Sequence, residues 1–311
     1  MNRIYSGIFI FAILAELSSC VKNIDLPLRQ ANEQVLVVDG QLTDLASEKH
    51  VNYNNYVRLT WARNTKETSV QPVDSALVII SSSGGERDTL VNERKVKTAS
   101  DPREFQGYYY PTKLICSAGT TYSLEIYVQG KQYSAEAFMP PVTKIDSVDL
   151  VFEKNIASSF SGYFPFISFR EPQNEKNYYL TQFCSNANRH QQFIKRLPCE
   201  WRGDLWNVSI MDDEYLPAYV KGLNVNVGTT PSPYNVGFVG EGDYSAYLYS
   251  LTPDAYAYYE ALIKGLHSDG GVYAPAPANA PTNIKSKYPA AGFFNASSVS
   301  FHDFHVGPNP Q

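Results

Sequence analysis

Clustered histidines and an acid near the C-terminus are the groups in this sequence with the clearest metal-binding chemistry. The segment FHDFH brings His302, Asp303 and His305 together, and imidazole and carboxylate groups are common zinc ligands. On an extended strand, however, residues 302 and 305 point to opposite faces, so the two histidines could share a metal only across a turn or bulge. We therefore interpret this segment as a surface or half-buried strand and predict no metal site.

Acidic residues cluster in two further segments. MDDEY contains Asp212, Asp213 and Glu214, and GEGDY contains Glu241 and Asp243. Carboxylate oxygens are calcium ligands, but acids in loops are usually only solvated. The sequence has no nucleophile elbow, zinc-protease helix, glycine-rich phosphate loop or EF-hand loop. We therefore predict that the protein is not an enzyme and has no catalytic residue and no cofactor.

Three of the four cysteines raise the question of disulfide chemistry. Cys184 and Cys199 flank the segment SNANRHQQFIKRLP, which is typical of a hairpin loop, and an oxidising compartment would allow them to pair. They are candidates for a disulfide, although the sequence does not give their separation in space. Cys116 ends an apolar strand pattern, and we interpret it as a buried small hydrophobic residue.

The fourth cysteine, Cys20, follows a short apolar segment. Residues 1–19 contain the cation Arg3 and an apolar run over 8–15, which is the layout of a secretory signal. The run is shorter than the roughly 20 residues that span a bilayer. Because the segment ends in Leu-Ser-Ser-Cys, it resembles a bacterial lipobox, in which the cysteine carries the lipid. We predict a lipoprotein signal peptide, lipidation of Cys20 and a tether over 20–32. The alternative is an ordinary signal peptide followed by an accidental cysteine.

Charge and composition narrow the class of protein. The net charge is −5, which gives no electrostatic footprint for nucleic acid. Aromatic residues make up 14% of the chain, with 23 tyrosines, and this usage favours β-structure. We therefore expect a mainly β protein with no nucleic-acid partner.

Residues 33–141 show short alternating runs separated by turn residues. EQVLVVDGQLTD predicts a strand over 34–38, a turn at Asp39-Gly40 and a second strand from Gln41. Further runs such as YVRLTWAR and TTYSLEIYVQGKQYSAEAF alternate apolar and polar residues. The spacing predicts an Ig-like antiparallel β-sandwich. We place its end at Pro140-Pro141, because proline cannot donate to a sheet ladder.

Residues 142–311 predict a second β-rich domain. Several strand candidates follow one another, including DSVDLVFE, YFPFISFR, NYYLTQFC and YSAYLYSL. One amphipathic helix is predicted at about 253–267. It starts with Thr252 as the N-cap and Pro253 at the first helical position, and apolar residues recur along it at helical spacing.

Exposed aromatic residues are the best candidates for contact with another molecule. Trp201, Trp206 and Tyr215 lie in WRGDLWNVSIMDDEYLP, between predicted strands. Tryptophan and tyrosine often anchor partners or stack on sugars, because they offer a large rigid surface at low entropic cost. We interpret these three residues as candidate ligand or partner contacts. The alternative is that the tryptophans fold back onto the second sheet.

Nearly all of the predicted mature chain resembles one known family of Bacteroidota lipoproteins, catalogued as the domain of unknown function four-two-four-nine. The resemblance lies in the order and spacing of weak motifs. They are VLVVDGQLTD, YVRLTWAR, DSALVIISSSGG, GTTYSLEIYVQGKQYSAEAFMPPVTKIDSV, EKNYYLTQF, LTPDAYAYYEAL and AAGFFNASSVS. The segment PTNIKSKYPAAGFFNASS departs from the commoner form of the family. The resemblance provides no catalytic residues.

The resemblance implies an outer-membrane lipoprotein whose gene commonly lies beside one for a TonB-dependent transporter. We expect an accessory or substrate-capturing subunit for a nutrient, either peptide or glycan, comparable to the starch-utilisation-type transporter pairs. Attachment would be to the outer membrane through the N-terminal lipid, on either the cell-surface or the periplasmic face. The alternative is a structural or adhesive surface lipoprotein without a transporter partner.

Three tripeptides match the Asp-Ser/Thr-aliphatic pattern of periplasmic O-glycosylation in Bacteroidota. They are DSA, DTL and DSV, with Ser75, Thr89 and Ser147 as the acceptor residues. Because a glycan is bulky, we expect glycosylated hydroxyls to lie on the surface.

Lipid attachment at Cys20 predicts the behaviour of a single variant. Replacement of Cys20 by Ala removes the thiol that carries the lipid, so the protein should move from the membrane fraction to the soluble fraction. Immunoblotting of the two fractions measures this shift. Retention of the variant in the membrane would contradict lipid anchoring.

Overall fold

The computed structural model describes residues 34–45, 55–62, 71–92, 106–154, 161–185, 208–224, 241–266 and 280–308. Within these ranges the chain has seventeen strands and one helix, so the prediction of a mainly β fold with one helix is confirmed. The predicted signal peptide, Cys20 and the tether lie outside the described residues. No helix in the described ranges is long and apolar enough to cross a bilayer.

The elements follow one another in this order: β1 (Leu36–Thr43), β2 (Tyr56–Trp61), β3 (Gln71–Pro72), β4 (Leu77–Ser82), β5 (Arg87–Thr89), β6 (Val91–Asn92), β7 (Tyr108–Tyr110), β8 (Thr121–Val128), β9 (Lys131–Phe138), β10 (Ile145–Lys154), β11 (Ser161–Arg170), β12 (Tyr178–Ser185), β13 (Val208–Asp212), β14 (Tyr219–Asn224), β15 (Gly242–Leu251), α1 (Pro253–Leu266), β16 (Ala290–Ser297) and β17 (Val299–Val306).

The strands form four sheets. Sheet I has the order β16-β1-β2-β7-β6, with β3 also paired to β2, and sheet II has the order β5-β4-β8-β9. Sheet III is β10-β11-β14, and sheet IV is β13-β12-β15-β17. The described strand pairs are antiparallel except for β1 and β16, which run parallel.

Sheets I and II share one hydrophobic core. Alternate residues of each strand point inward, as the pleat of a strand requires. Leu36 and Val38 from β1 join Leu124 and Ile126 from β8 in this core, and Cys116 is buried there as predicted. The two sheets therefore pack face to face over much of the predicted sandwich range.

The first sheet also contains a strand from far along the chain. β16 pairs with β1 in parallel register, from Leu36 opposite Ala290 to Thr43 opposite Ser297. From their place in the chain alone, residues 290–297 are predicted to belong to the second domain. The structure hydrogen-bonds them into the first sheet, which makes that sheet mixed and not purely antiparallel. An Ig-like topology stays a prediction.

The dipeptide Asp39-Gly40 was expected to form a turn, and this prediction is wrong. β1 runs without interruption from Leu36 to Thr43. A Cβ atom on Gly40 would lie 2.7 Å from the Phe294 ring of β16. Glycine is therefore required here for close packing against β16, although the same dipeptide is typical of hairpin turns.

β16 approaches β1 even more closely at Gly292. This residue has a φ of +91°, and a Cβ atom there would lie 1.9 Å from the carbonyl oxygen of Val38. On the other edge of β16, the side chain of Asn283 accepts a hydrogen bond from the Phe294 N–H at 2.9 Å and donates to its carbonyl at 2.7 Å. Both edges of this strand are thus held by hydrogen bonds.

Sheet IV lies between sheet III and the helix. From β15, Ala246 and Leu248 pack with Ile167 and Phe169 of β11 in one core. The intervening residues Tyr247, Tyr249 and Leu251 face the opposite side, where they pack with Leu180, Ala255, Tyr259 and Phe293. Both faces of β15 are therefore buried, which explains its continuous apolar run.

The predicted helix is present as α1, over Pro253–Leu266. Thr252 caps it, since its hydroxyl accepts the Ala255 N–H at 3.2 Å. Phe293 of β16 packs in the helix core, while its neighbour Phe294 packs in the core of sheets I and II. β16 therefore contributes to both cores through its two faces.

Hydrogen bonds also cross the predicted boundary at Pro140-Pro141. Asp44, just after β1, accepts the Val299 N–H at 2.8 Å and a hydrogen bond from Ser298. Ser250 of β15 donates to the Pro140 carbonyl at 2.6 Å. The described residues from Gln34 onward belong to one compact unit.

The close approach of β16 to β1 predicts a strong effect of Gly292→Ala. A positive φ and a clash with the Val38 carbonyl should lower the free energy of unfolding by about 3 kcal/mol. Gly265→Ala, in the helix, is the matched control, because a Cβ atom there meets no atom within 4 Å. It should raise stability by roughly 0.5–1 kcal/mol. Urea unfolding measures the free energy of unfolding of both variants. Equally small effects of the two substitutions would contradict the close pairing of β16 with β1.

Candidate functional site

The predicted contact residues lie only partly in the described chain. Trp201, Trp206 and Cys199 lie outside it, so their roles stay predictions. Cys184 lies in β12, in register with Ser245 of β15. Its pairing with Cys199 is untested and stays a prediction.

The residues of FHDFH lie on β17, an unbroken strand at the edge of sheet IV. His302 and His305 therefore point to opposite faces. His305 pairs instead with Asp243 across the strands, with 2.8 Å between Nδ1 and Oδ1, and Asp303 accepts a hydrogen bond from Ser245. In the part of the chain that the structure describes, no group of three or more His, Cys, Asp or Glu side chains could hold a metal ion.

The candidate glycosylation sites differ in accessibility. Ser75 and Thr89 are exposed, whereas Ser147 is half-buried. Asp88, which precedes Thr89, is buried, and its carboxylate accepts the N–H groups of Thr112, Lys113 and Leu114 at 2.8 to 3.0 Å. This acid therefore has a structural role of its own, and modification of the three hydroxyls stays a prediction.

Tyr215 is the most exposed of the large apolar side chains in the described residues. Its exposed fraction is 88%. It lies in the segment 213–218 between β13 and β14, which we call the Tyr215 turn. Tyr219 follows at the start of β14, with an exposed fraction of 43%, and the Arg170 guanidinium lies 5.6 Å from its ring centroid. The turn thus places an exposed aromatic side chain four residues before a second exposed aromatic side chain.

A polar network holds the Tyr215 turn against the loop before β12. Lys176 pairs with Asp213 at 2.9 Å and with Asp212 at 3.2 Å. The Asn177 N–H donates to the Asp213 carboxylate at 2.7 Å, and the Asp213 N–H donates to the Asn177 carbonyl at 3.1 Å. Burial alone would raise the pKa of Asp213, but the hydrogen bonds from Lys176 and Asn177 lower it. The charged form of Asp213 is therefore the one that fits this network.

Beneath this network lies a buried carboxylate, Glu171. It accepts hydrogen bonds from the Tyr179 hydroxyl at 2.8 Å and from the Asn177 side-chain amide at 3.0 Å. Its N–H donates to the Ala218 carbonyl at 3.1 Å, at the far end of the turn. Burial raises the pKa of Glu171, and the hydrogen bonds from Tyr179 and Asn177 oppose this shift. The Tyr215 turn is therefore held at both ends by hydrogen bonds.

A second surface was not found from the sequence. On the outer face of sheet I, Asp39 of β1 lies directly opposite Arg58 of β2, and Arg58 lies opposite Tyr108 of β7. The neighbouring pair on this face is Gln41 and Tyr56. We call the surface formed by Asp39, Tyr56, Arg58, Tyr108 and Tyr258 the Asp39 face.

Helix α1 borders the Asp39 face on the side of β16. Tyr258 stacks on Phe293, with ring centroids 4.9 Å apart, and the Tyr259 hydroxyl donates to the Gln41 side chain at 3.4 Å. Burial and the Asp39 carboxylate both raise the pKa of Tyr258 and of Tyr259. These tyrosines are therefore neutral donors and packing groups at ordinary pH.

Asp39 is an exposed residue on the outer face of sheet I. Partial desolvation of its carboxyl group by the neighbouring side chains raises the pKa of Asp39 to about 6, while the Arg58 charge and the Tyr56 hydroxyl, 3.5 Å away, act to lower it. The sequence signal that could have identified this site is the alternation of inward-facing and outward-facing residues along β1. Val38, Gly40 and Leu42 face the core, which places Asp39 on the outer face with Gln41 and Thr43.

Comparison with known protein families identifies a family for most of the chain. The family model described as "Domain of unknown function (DUF4249)" matches residues 21–302. No curated protein matches the chain.

The raised pKa of Asp39 predicts a pH-dependent effect of Asp39→Asn. Because the folded state binds this proton more tightly than the unfolded state, wild type loses stability as the pH rises from about 4 to about 6. The asparagine variant avoids this loss. At pH 7 it should gain about 1 kcal/mol, allowing for solvent screening of a partly exposed group, or about 2–4 °C in Tm.

Thermal unfolding of wild type and Asp39→Asn at pH 4, 5, 6 and 7 checks this prediction. The difference between their Tm values should grow from pH 4 to pH 7. A variant that is less stable than wild type at every pH would contradict the proposed environment of Asp39.

Proposed function

This chain belongs to the family described as a domain of unknown function (DUF4249), and we propose that it is a lipid-anchored outer-membrane lipoprotein that assists a TonB-dependent nutrient transporter. Cys20 is the proposed site of attachment, because small residues precede it at the end of a signal-like segment. The proposed role is that of an accessory or substrate-capturing subunit, for a peptide or glycan nutrient.

The observation that carries this proposal is the Tyr215 turn. Exposed aromatic side chains that are held rigidly are well suited to anchor a partner, because little conformational entropy is lost on binding. Tyr215 is exposed, whereas Asp213, Lys176 and Glu171 fix the backbone around it. An accessory subunit needs such a contact surface and requires no catalytic group.

The acids around Tyr215 support contact with a protein partner. Lys176 pairs with both Asp212 and Asp213, so it compensates one of the two negative charges at the base of the turn. Glu214 is exposed, and Arg170 lies over the ring of Tyr219. Aromatic residues and arginine are enriched at the centres of protein interfaces.

Co-purification from membranes tests the proposal. The tagged full-length protein is extracted in mild detergent, and the proteins recovered with it are identified by mass spectrometry. We expect a large outer-membrane β-barrel protein at near-stoichiometric amounts. Recovery of the lipoprotein without such a partner would overturn the accessory role and would favour the structural or adhesive alternative.

A variant in the turn tests the contact itself. Tyr215→Ser should reduce recovery of the partner at least about tenfold, because a central aromatic anchor commonly contributes 2 kcal/mol or more to binding. Tyr127→Ser, at an exposed tyrosine of β8, is the matched control and should leave recovery unchanged. Equal recovery with both variants would remove the Tyr215 turn from the interface.

A further inference from the structure

The Asp39 face carries two opposite charges that form no direct ion pair with each other. Asp39 and Arg58 are cross-strand neighbours, which places their Cα atoms about 4.5–5.5 Å apart. Among the described contacts, no ion pair within 4.0 Å joins their side chains. The Arg58 guanidinium lies instead over the Tyr108 ring, 5.0 Å from its centroid. The structure thus presents a carboxylate and a guanidinium side by side.

Each charged group is held in place by a tyrosine. The Tyr108 ring supports Arg58, and Tyr56 packs against Tyr108 with ring centroids 5.4 Å apart. The Tyr56 hydroxyl donates to the Asp39 carboxylate. Since Tyr56 is buried, its hydroxyl is a fixed donor that orients the Asp39 carboxylate. The other carboxylate oxygen of Asp39 can accept a hydrogen bond from a ligand.

One donor of the Arg58 guanidinium has no hydrogen-bond acceptor among the described residues. Its Nε–H is buried and meets no hydrogen-bond acceptor within the described part of the chain. Buried donors of this kind are uncommon, because nearly all buried polar groups in proteins are hydrogen-bonded. A carboxylate that binds side-on to an arginine takes one hydrogen bond from Nε and one from a terminal nitrogen.

We propose that the Asp39 face binds the zwitterionic head of a free α-amino acid, with its carboxylate on Arg58 and its ammonium group on Asp39. In such a ligand the two charged groups are joined through a single carbon atom, which suits two receptors on adjacent strands. Binding of such a ligand gives Arg58 and Asp39 each an opposite charge and adds no net charge to the surface. A neutral sugar would offer neither ionic group a charged partner.

The aromatic border of the face favours an apolar or aromatic side chain on the amino acid. Tyr258 and Tyr108 are both half-buried, so part of each ring remains accessible. Tyr258 is fixed by its stacking on Phe293. The site and its ligand do not depend on a transporter partner, so failure of the accessory role would leave this proposal standing.

Isothermal titration of the full-length protein in detergent with L-phenylalanine tests the site. Wild type should bind the free amino acid. N-acetyl-L-phenylalanine lacks the ammonium group and L-phenylalaninamide lacks the carboxylate, so each should bind at least about tenfold more weakly. Equal binding of all three compounds would overturn the proposal, as would binding of maltose but not of L-phenylalanine.

Matched variants locate the binding on the Asp39 face. Arg58→Gln and Asp39→Asn should each weaken L-phenylalanine binding at least about tenfold. Arg87→Gln, at an exposed arginine of sheet II, removes the same charge elsewhere and should have no effect. Because Asp39→Asn is expected to be at least as stable as wild type, its loss of binding would not be due to unfolding. Undiminished binding by both site variants would overturn the proposal.

The pH dependence of the affinity for L-phenylalanine gives a further test of the proposal. The groups facing Asp39 are Arg58 and Tyr56 from β2 and Tyr258 and Tyr259 from α1. Binding of an ammonium group requires the ionised carboxylate, so affinity should fall as the pH drops through about 6. Affinity that is the same at pH 5 and pH 8 would contradict the role of Asp39.

Discussion

The parallel pairing of β16 with β1 is the contact on which the rest of the structure depends. It brings together residues that are 254 positions apart in sequence, as in the 3.1 Å hydrogen bond from Asn295 to Gln41. One face of β16 completes the core of sheets I and II through Phe294, and the other face meets helix α1 through Phe293. Two glycines, Gly40 and Gly292, make this close approach sterically possible.

The two candidate surfaces follow from this arrangement in different ways. The Asp39 face exists because β16 brings the helix next to β1, so that Tyr258 and Tyr259 border a carboxylate on the outer side of sheet I. The Tyr215 turn depends on local contacts between β11, β12 and β13. One surface is thus a product of long-range pairing, and the other is a product of a nearby hydrogen-bond network.

Features with local signals could be predicted from the sequence, whereas features that depend on long-range pairing could not. Helix α1 was found because its cap at Thr252 and its apolar spacing are local signals. Tyr215 was identified as a candidate contact from its position between strands, but its support by Lys176 and Glu171 depends on tertiary contacts. The pairing of β16 with β1 leaves no local signal, so Asp39-Gly40 was taken for a turn. The opposition of Asp39 to Arg58 depends on strand register, which composition and periodicity do not specify.

The central functional claim is that Tyr215 faces an outer-membrane partner. A photo-reactive amino acid incorporated in place of Tyr215 in intact cells tests this most directly, because it reports contacts within a few ångströms without extraction. We predict a cross-link to one large outer-membrane β-barrel protein from position 215, and none from position 127 on sheet II. Equal labelling from both positions, or no cross-link from position 215, would contradict it.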